Sequence, residues 1–162
     1  MNKTYLEKGM YCKAQNQNTG EWITGTYIGR GLFIFPTDEP EGIEDESGAW
    51  VSPVREDTIC RATGRENEFE YDVVMVTGEE YKTENGENKV FIIVYDEQTM
   101  GWALQLLFVK TENGNKGVFN WLEDRQYITS LSNLHPSRII KLGSVKEDKY
   151  WKEEWERCVE ER

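Results

Sequence analysis

Histidine is the side chain best suited to acid–base work near neutral pH, and this chain of 162 residues has one, His135, directly before Pro136. A general base needs a carboxylate to orient it and a nucleophile within reach, and no Ser, Cys or Asp motif accompanies His135. It reads as a turn-capping or solvent-facing residue. Cys12, Cys60 and Cys158 are odd in number, widely spaced and free of any Cys-x-x-Cys pair, which predicts reduced packing cysteines rather than a disulfide framework or zinc site. Asp38, Glu39, Glu41, Glu44, Asp45 and Glu46 are ligand types for a hard cation, but their spacing lacks the alternation, central Gly and terminal Glu of an EF-hand. Residues 36–48 therefore read as a solvated, mobile acidic loop. Gly29-Arg30-Gly31 and Thr77-Gly78 follow neither Walker nor dinucleotide spacing and lead into no helix. No catalytic residue, metal or cofactor is expected.

The bulk composition narrows the partner class. A formal charge of -11 and a mean hydropathy of -0.72 describe a very soluble acidic surface. Such a surface repels phosphate backbones, so nucleic-acid binding loses its main source of affinity and an unidentified protein partner is favoured. Residues 1–10 carry Lys3, Glu7 and Lys8 and no apolar signal region. The apolar runs at 90–95 and 104–109 are far too short to span a bilayer. A cytoplasmic protein with no membrane partner is expected.

The elements that would hold any site are strands. Lys82-Thr83-Glu84-Asn85-Gly86 recurs as Lys110-Thr111-Glu112-Asn113-Gly114, with apolar strand-like runs around both copies. Asn-Gly signals a tight hairpin in which both central residues take positive φ, so the repeat writes out an antiparallel meander with its two tips at the same end. Residues 90–95 are apolar on both faces, as in a central strand covered on each side. In the next strand Trp102, Leu104, Leu106 and Phe108 are expected on one face, opposite Ala103, Gln105, Leu107 and Val109, and residues 118–122 close the set. Earlier, residues 10–15 and 22–28 alternate around an Asn18-Thr19-Gly20 turn, and residues 32–35, 50–51 and 58–62 read as further short strands. Tyr11, Trp22, Tyr27, Trp50, Tyr71, Tyr95, Trp102 and Trp121 fall on strands and are read as packing residues. Residues 139–145 add one more strand. The periodicity then changes, and from about 146 to 161 Trp151, Trp155 and Cys158 fall on one face of a helix. A helix this short must dock, and beyond the closing strand it is free to reach outward. These three residues are the candidate interface, on the chain's own barrel or on a second copy in a homo-oligomer.

Three separated pieces resemble the YopX family of phage and prophage proteins. Tyr11-Cys12-Lys13-Ala14 through Thr19-Gly20-Glu21-Trp22-Ile23-Thr24-Gly25 is similar to its opening pattern. Ile59-Cys60-Arg61-Ala62-Thr63-Gly64, followed by Glu70-Tyr71-Asp72-Val73-Val74, resembles its central signature, and Ile139-Ile140-Lys141-Leu142-Gly143-Ser144-Val145 its closing strand. Departures are the short segment after Gly64, the lack of a Gly before Asp72, and Ser144 in place of Asn. The resemblance implies a mainly β fold whose later half is an SH3-like barrel built on the meander. It carries over no enzymatic activity, and Thr63, Gly64 and Asp72 would be structural. The organisation expected is an N-terminal β-strand region at 1–65 packed on the barrel, the SH3-like barrel at 66–145, and a C-terminal amphipathic helix at 146–162. The function expected is that of a non-enzymatic phage or prophage accessory protein that binds another protein. The alternative, a nucleic-acid-associated regulator using the barrel, rests on fold analogy.

Overall fold

A computed structural model describes residues 11–27, 33–36, 43–44, 50–117 and 128–160. The fold is mainly β: two antiparallel sheets and one C-terminal helix. Contacts divide it into two compact units, Met1–Phe69 and Glu70–Arg162, and the helix belongs to the second.

The first unit contains β1 (Tyr11–Gln15), β2 (Trp22–Tyr27), β3 (Phe33–Pro36), β4 (Ile43–Glu44), β5 (Trp50–Pro53) and β6 (Cys60–Arg61), in the order β4-β5-β3-β2-β1-β6. The β1–β2 turn forms because the Asn16 side chain accepts hydrogen bonds from the amides of Asn18 (2.8 Å) and Thr19 (3.1 Å), and Gly20 supplies φ +77°. Period-two alternation sends Cys12 and Ala14 into a small core with Val54 and Ile59. Lys13 faces the other way, buried, with its ammonium 5.0 Å from the Phe69 ring and 5.9 Å from Trp22. Cys12 lies opposite Arg61, and Lys13 opposite Cys60. Adjacent residues of a strand face opposite ways, so the two thiols lie on opposite faces and do not form a disulfide with each other. Thr63, Gly64 (φ +95°) and Glu68 shape the turn after β6, the Thr63 hydroxyl donating to Glu68 Oε1 at 2.8 Å. Within residues 36–48, Ile43–Glu44 pairs with Trp50–Val51. The rest of that segment lies outside the described residues, as do Gly29-Arg30-Gly31, Trp121 and the expected strand at 118–122.

The second unit contains β7 (Asp72–Val76), β8 (Lys89–Asp96), β9 (Gly101–Thr111), β10 (Gly114–Gly117), β11 (Ile128–Ser130), β12 (Ile139–Ser144) and α1 (Lys149–Glu160). The strand order is β10-β9-β8-β7-β12, with β11 also paired to β9. Among the described residues this sheet is open, with β10 and β12 at its edges, where a closed barrel would join them. β8 is central and covered on both faces, as its doubly apolar sequence predicts. Val90 and Ile92 pack with Val73, Leu107, Phe108 and Val145, whereas Phe91 and Ile93 pack with Val74, Leu104, Leu106, Leu131 and Leu134.

The faces of β9 differ from simple alternation. Val90 pairs with Phe108 while its neighbour Phe91 pairs with Leu106, so Leu107 is an extra residue on β9. That bulge turns Phe108 onto the Val90 face and separates it from Leu104 and Leu106. The hairpin tips share one end of the sheet, since Lys89 at the start of β8 lies opposite Val109 near the end of β9. Their turn chemistry departs from expectation: Gly86 (φ +79°) and Gly114 (φ +107°) take positive φ, but neither Asn85 nor Asn113 does. At the first tip the Gly86 amide donates to Thr83 O at 2.9 Å, giving a three-residue loop with glycine in the left-handed position. The second tip pairs Thr111 directly with Gly114 across Glu112 and Asn113. The two copies of one pentapeptide thus close as different loops.

The helix lies on the face made by Val90 and Phe108. Trp151 stacks on Phe108 (centroids 5.7 Å apart, planes 10°) and donates Nε1–H to Leu142 O at 3.3 Å. Trp155 packs against the same cluster. Gly143 permits this approach, because a Cβ there would fall 2.5 Å from Trp151 Cδ1. At the other end, Arg157 donates to Asn115 O on β10 at 2.9 Å and pairs with Glu154, also at 2.9 Å. That guanidinium holds the Glu154 carboxyl below the ordinary carboxylate range. A helix of this length spans roughly 18 Å, close to the roughly 19 Å between the two edges of five paired strands, so α1 straps the sheet from β12 to β10.

Candidate functional site

On the sheet face opposite α1, the tip end opens into a groove of about 950 Å³. Strand register builds its floor. Lys89, Val109 and Lys116 lie opposite one another on β8, β9 and β10, and two residues further along β8, Phe91 lies opposite Leu106. One wall is the segment from Glu80 to Glu87, which contributes Glu80, Tyr81, Thr83, Glu84, Asn85 and Glu87. Thr111, Gly117 and Thr129 line the remainder. The repeated pentapeptide therefore frames the groove: the first copy forms the wall, and the second supplies Thr111.

The wall is held from outside. Arg138 donates from Nε (3.2 Å) and Nη2 (2.5 Å) to Thr77 O, pairs with Glu80, and lies over the Tyr81 ring at 5.2 Å. The hydrogen bond from Arg138 is the main reason the Glu80 carboxyl sits below the ordinary range. Tyr81 in turn meets Phe91 edge-on, with centroids 6.1 Å apart. Glu87 is tied to Thr83, whose hydroxyl accepts the Glu87 amide hydrogen at 3.0 Å. Among the described residues, Lys89 and Lys116 form no ion pair, whereas Lys82, Lys141 and Lys149 do. The floor thus offers two ammonium groups, partly used carboxylates beside them, and an apolar strip between.

The other sequence-predicted positions fall elsewhere. His135 caps the 3-10 turn at Pro136–Arg138, its Nδ1 accepting the Ser137 amide hydrogen at 3.1 Å. That is the turn-capping role read from its sequence context. Trp151 and Trp155 are half-buried on the chain's own sheet. Cys158 lies in α1, with its side chain outside the described residues. Of the strand aromatics, Tyr11 is 42% exposed, and Trp22, Tyr27, Tyr71, Tyr95 and Trp102 are intermediate. The fully buried side chains are chiefly aliphatic. Among the described residues no group of three or more His, Cys, Asp or Glu side chains is gathered as a metal site. No helix there is long and apolar enough to cross a membrane. The groove itself was not foreseen, because it depends on the 79–87 segment folding over the sheet. The repeat signalled only where the tips would be.

Comparison with protein-family models, curated protein sequences and solved structures finds no match to this chain.

Proposed function

We propose that this chain is a non-enzymatic protein-binding module, acting as an accessory protein of a phage or prophage in the bacterial cytoplasm, with the tip-end groove as its binding surface. The groove carries the reading. Its size suits side chains of a partner, its floor mixes Phe91, Leu106 and Val109 with charged groups, and the described residues lining it include no His, Cys or Ser. The phage context and a relation of the second unit to the SH3-like barrel rest on the YopX-like pieces. In this reading the unit is an SH3-like meander left open by the strap helix.

The test is affinity capture from bacterial lysate at low salt, with wild type beside Val109→Arg, which fills the groove from its floor. A partner recovered by wild type and lost with Val109→Arg is expected. Recovery of the same partner by both proteins would refute the groove as the binding surface. A titration with labelled single- and double-stranded oligonucleotides separates this reading from the nucleic-acid alternative, which the net charge of -11 opposes.

A further inference from the structure

Resting on that reading, we infer that the groove takes an extended peptide carrying an apolar side chain and, two residues away, a carboxylate. The geometry of the floor sets this pattern. Its apolar row, Phe91 and Leu106, and its basic row, Lys89, Val109 and Lys116, are separated by two residues along β8. That step is roughly 7 Å at strand rise, which is also the spacing of alternate side chains in an extended ligand. A ligand laid along the strands places one side chain on Phe91 and Leu106 and the next same-side chain on the lysine row.

Charge decides what the second side chain is. The chain has eleven more acidic than basic groups by formal charge, yet neither Lys89 nor Lys116 is engaged by a carboxylate in the described structure. Of the three carboxylates on the wall, Glu80 is held by Arg138, Glu87 is tied to Thr83, and Glu84 is exposed at the tip of the loop. The lysines flank Val109 on neighbouring strands, roughly 10 Å apart at Cα, so two flexible stems can converge on one carboxylate between them. The hydroxyl of Thr129 and the side-chain amide of Asn85 line the walls, where an extended backbone needs partners.

The experiment is selection from a random peptide library displayed on phage, using the full chain as bait. Binding of a selected peptide and of its Glu-to-Gln counterpart is then measured by fluorescence polarisation. The expected result is enrichment of an apolar residue followed two positions later by Asp or Glu, with about tenfold weaker binding of the Gln peptide. Lys89→Glu combined with Lys116→Glu should turn the preference at that position to Lys or Arg, with far-ultraviolet circular dichroism confirming that the fold is retained. Peptides that bind in the groove, as shown by their loss with Val109→Arg, but with no acidic preference or no inversion would overturn the inference and leave the protein-binding reading standing. Peptides unaffected by Val109→Arg would place binding elsewhere and overturn the inference too. No enrichment at all would overturn both.

Discussion

Adding one methyl group at Gly143 should release the strap helix. This glycine has no special backbone requirement, and its role is to leave room. A Cβ would fall 2.5 Å from Trp151 Cδ1 and 2.6 Å from Trp151 Nε1, and close to Asp148 Oδ2. Non-bonded carbons prefer about 3.5–4.0 Å, so the indole must retreat by about 1 Å. Retreat breaks the Nε1–H bond to Leu142 O and opens the stack on Phe108. It also disturbs Asp148, whose carboxylate accepts the Ser144 amide hydrogen at 2.8 Å where the strand gives way to α1. Overpacking of this kind costs about 1–3 kcal/mol, and the lost hydrogen bond about 1 more. The stiffer unfolded chain of an alanine variant offsets about 0.5. Gly143→Ala should therefore destabilise by about 1.5–3.5 kcal/mol in urea unfolding followed by circular dichroism. The decisive measurement is the double-mutant cycle with Trp151→Ala. With the indole gone, the hydrogen-bonded Asp148 carboxylate still meets the added methyl, so the cost of Gly143→Ala should fall by about 1 kcal/mol or more without vanishing. An equal cost in both backgrounds would refute the close-approach argument.

Other consequences follow from single features. Burial pushes the Cys12 thiol up from 9.0 to about 11, so the folded state holds a proton that the unfolded state releases. The resulting stabilisation, on the order of 2–3 kcal/mol, is complete below pH 9 and is lost as pH rises from 9 to about 11. Cys12→Ala should flatten the alkaline slope of a melting-temperature profile, and an unchanged slope would exclude the thiol as its source. Gly86→Val or Gly114→Val should cost about 1–2 kcal/mol through positive φ alone, because a Cβ at either site meets nothing within 4 Å; if both variants melt like wild type, the turns tolerate side chains and the argument fails. Trp155→Ala, at a half-buried site, should cost on the order of 2 kcal/mol, and light scattering should show a wild-type monomer at micromolar concentration. Truncation after Val145 should make the chain associate, because it uncovers the Phe108 face. A truncated chain that stays monomeric with unchanged melting would mean that α1 docks nowhere.

Local signals made much of the fold legible in the sequence. The apolar run around Ile92 marked a central, doubly covered strand, and the Asn-Gly pairs marked tips at one end. Alternation in residues 10–15 set Cys12 and Ala14 on one face, which the structure makes the core face. What could not be read depended on contacts distant in sequence. The bulge at Leu107 has no local signature, being fixed only by pairing with Val90 and Phe91, so Phe108 was placed on the wrong face. The identical pentapeptides could not announce two different loops, since the register of the flanking strands makes that choice. Gly143 looked like one glycine in a closing strand, and its purpose emerges only with Trp151 resting above it. The groove was hidden for the same reason: its wall is pinned by Arg138, far along the chain from Glu80.

The strap explains why binding is assigned to the tip end and not to the helix. An amphipathic terminal helix with two indoles invites reading as an interface, but here its apolar side is committed to Val90, Ile92 and Phe108. Trp151 engages Leu142 O, at the irregularity in β12 where register shifts between Lys141 and Gly143. Arg157 engages Asn115 O on the opposite edge, while Asn115 Nδ2 returns bonds to Tyr150 and Glu154. Edge carbonyls are where a second sheet would add, and these bonds occupy one carbonyl on each edge strand while the helix packs on one face. The other face is sealed over β7 and the middle of β8 by Leu131 and Leu134. Among the described residues, the strip where β8, β9 and β10 approach their tips opens as a groove, and there two lysines without ionic partners stand beside Phe91 and Leu106. The helix thus commits its indoles to the sheet, and apolar and cationic groups are left together at the tip end, which is why the proposed binding surface is placed there.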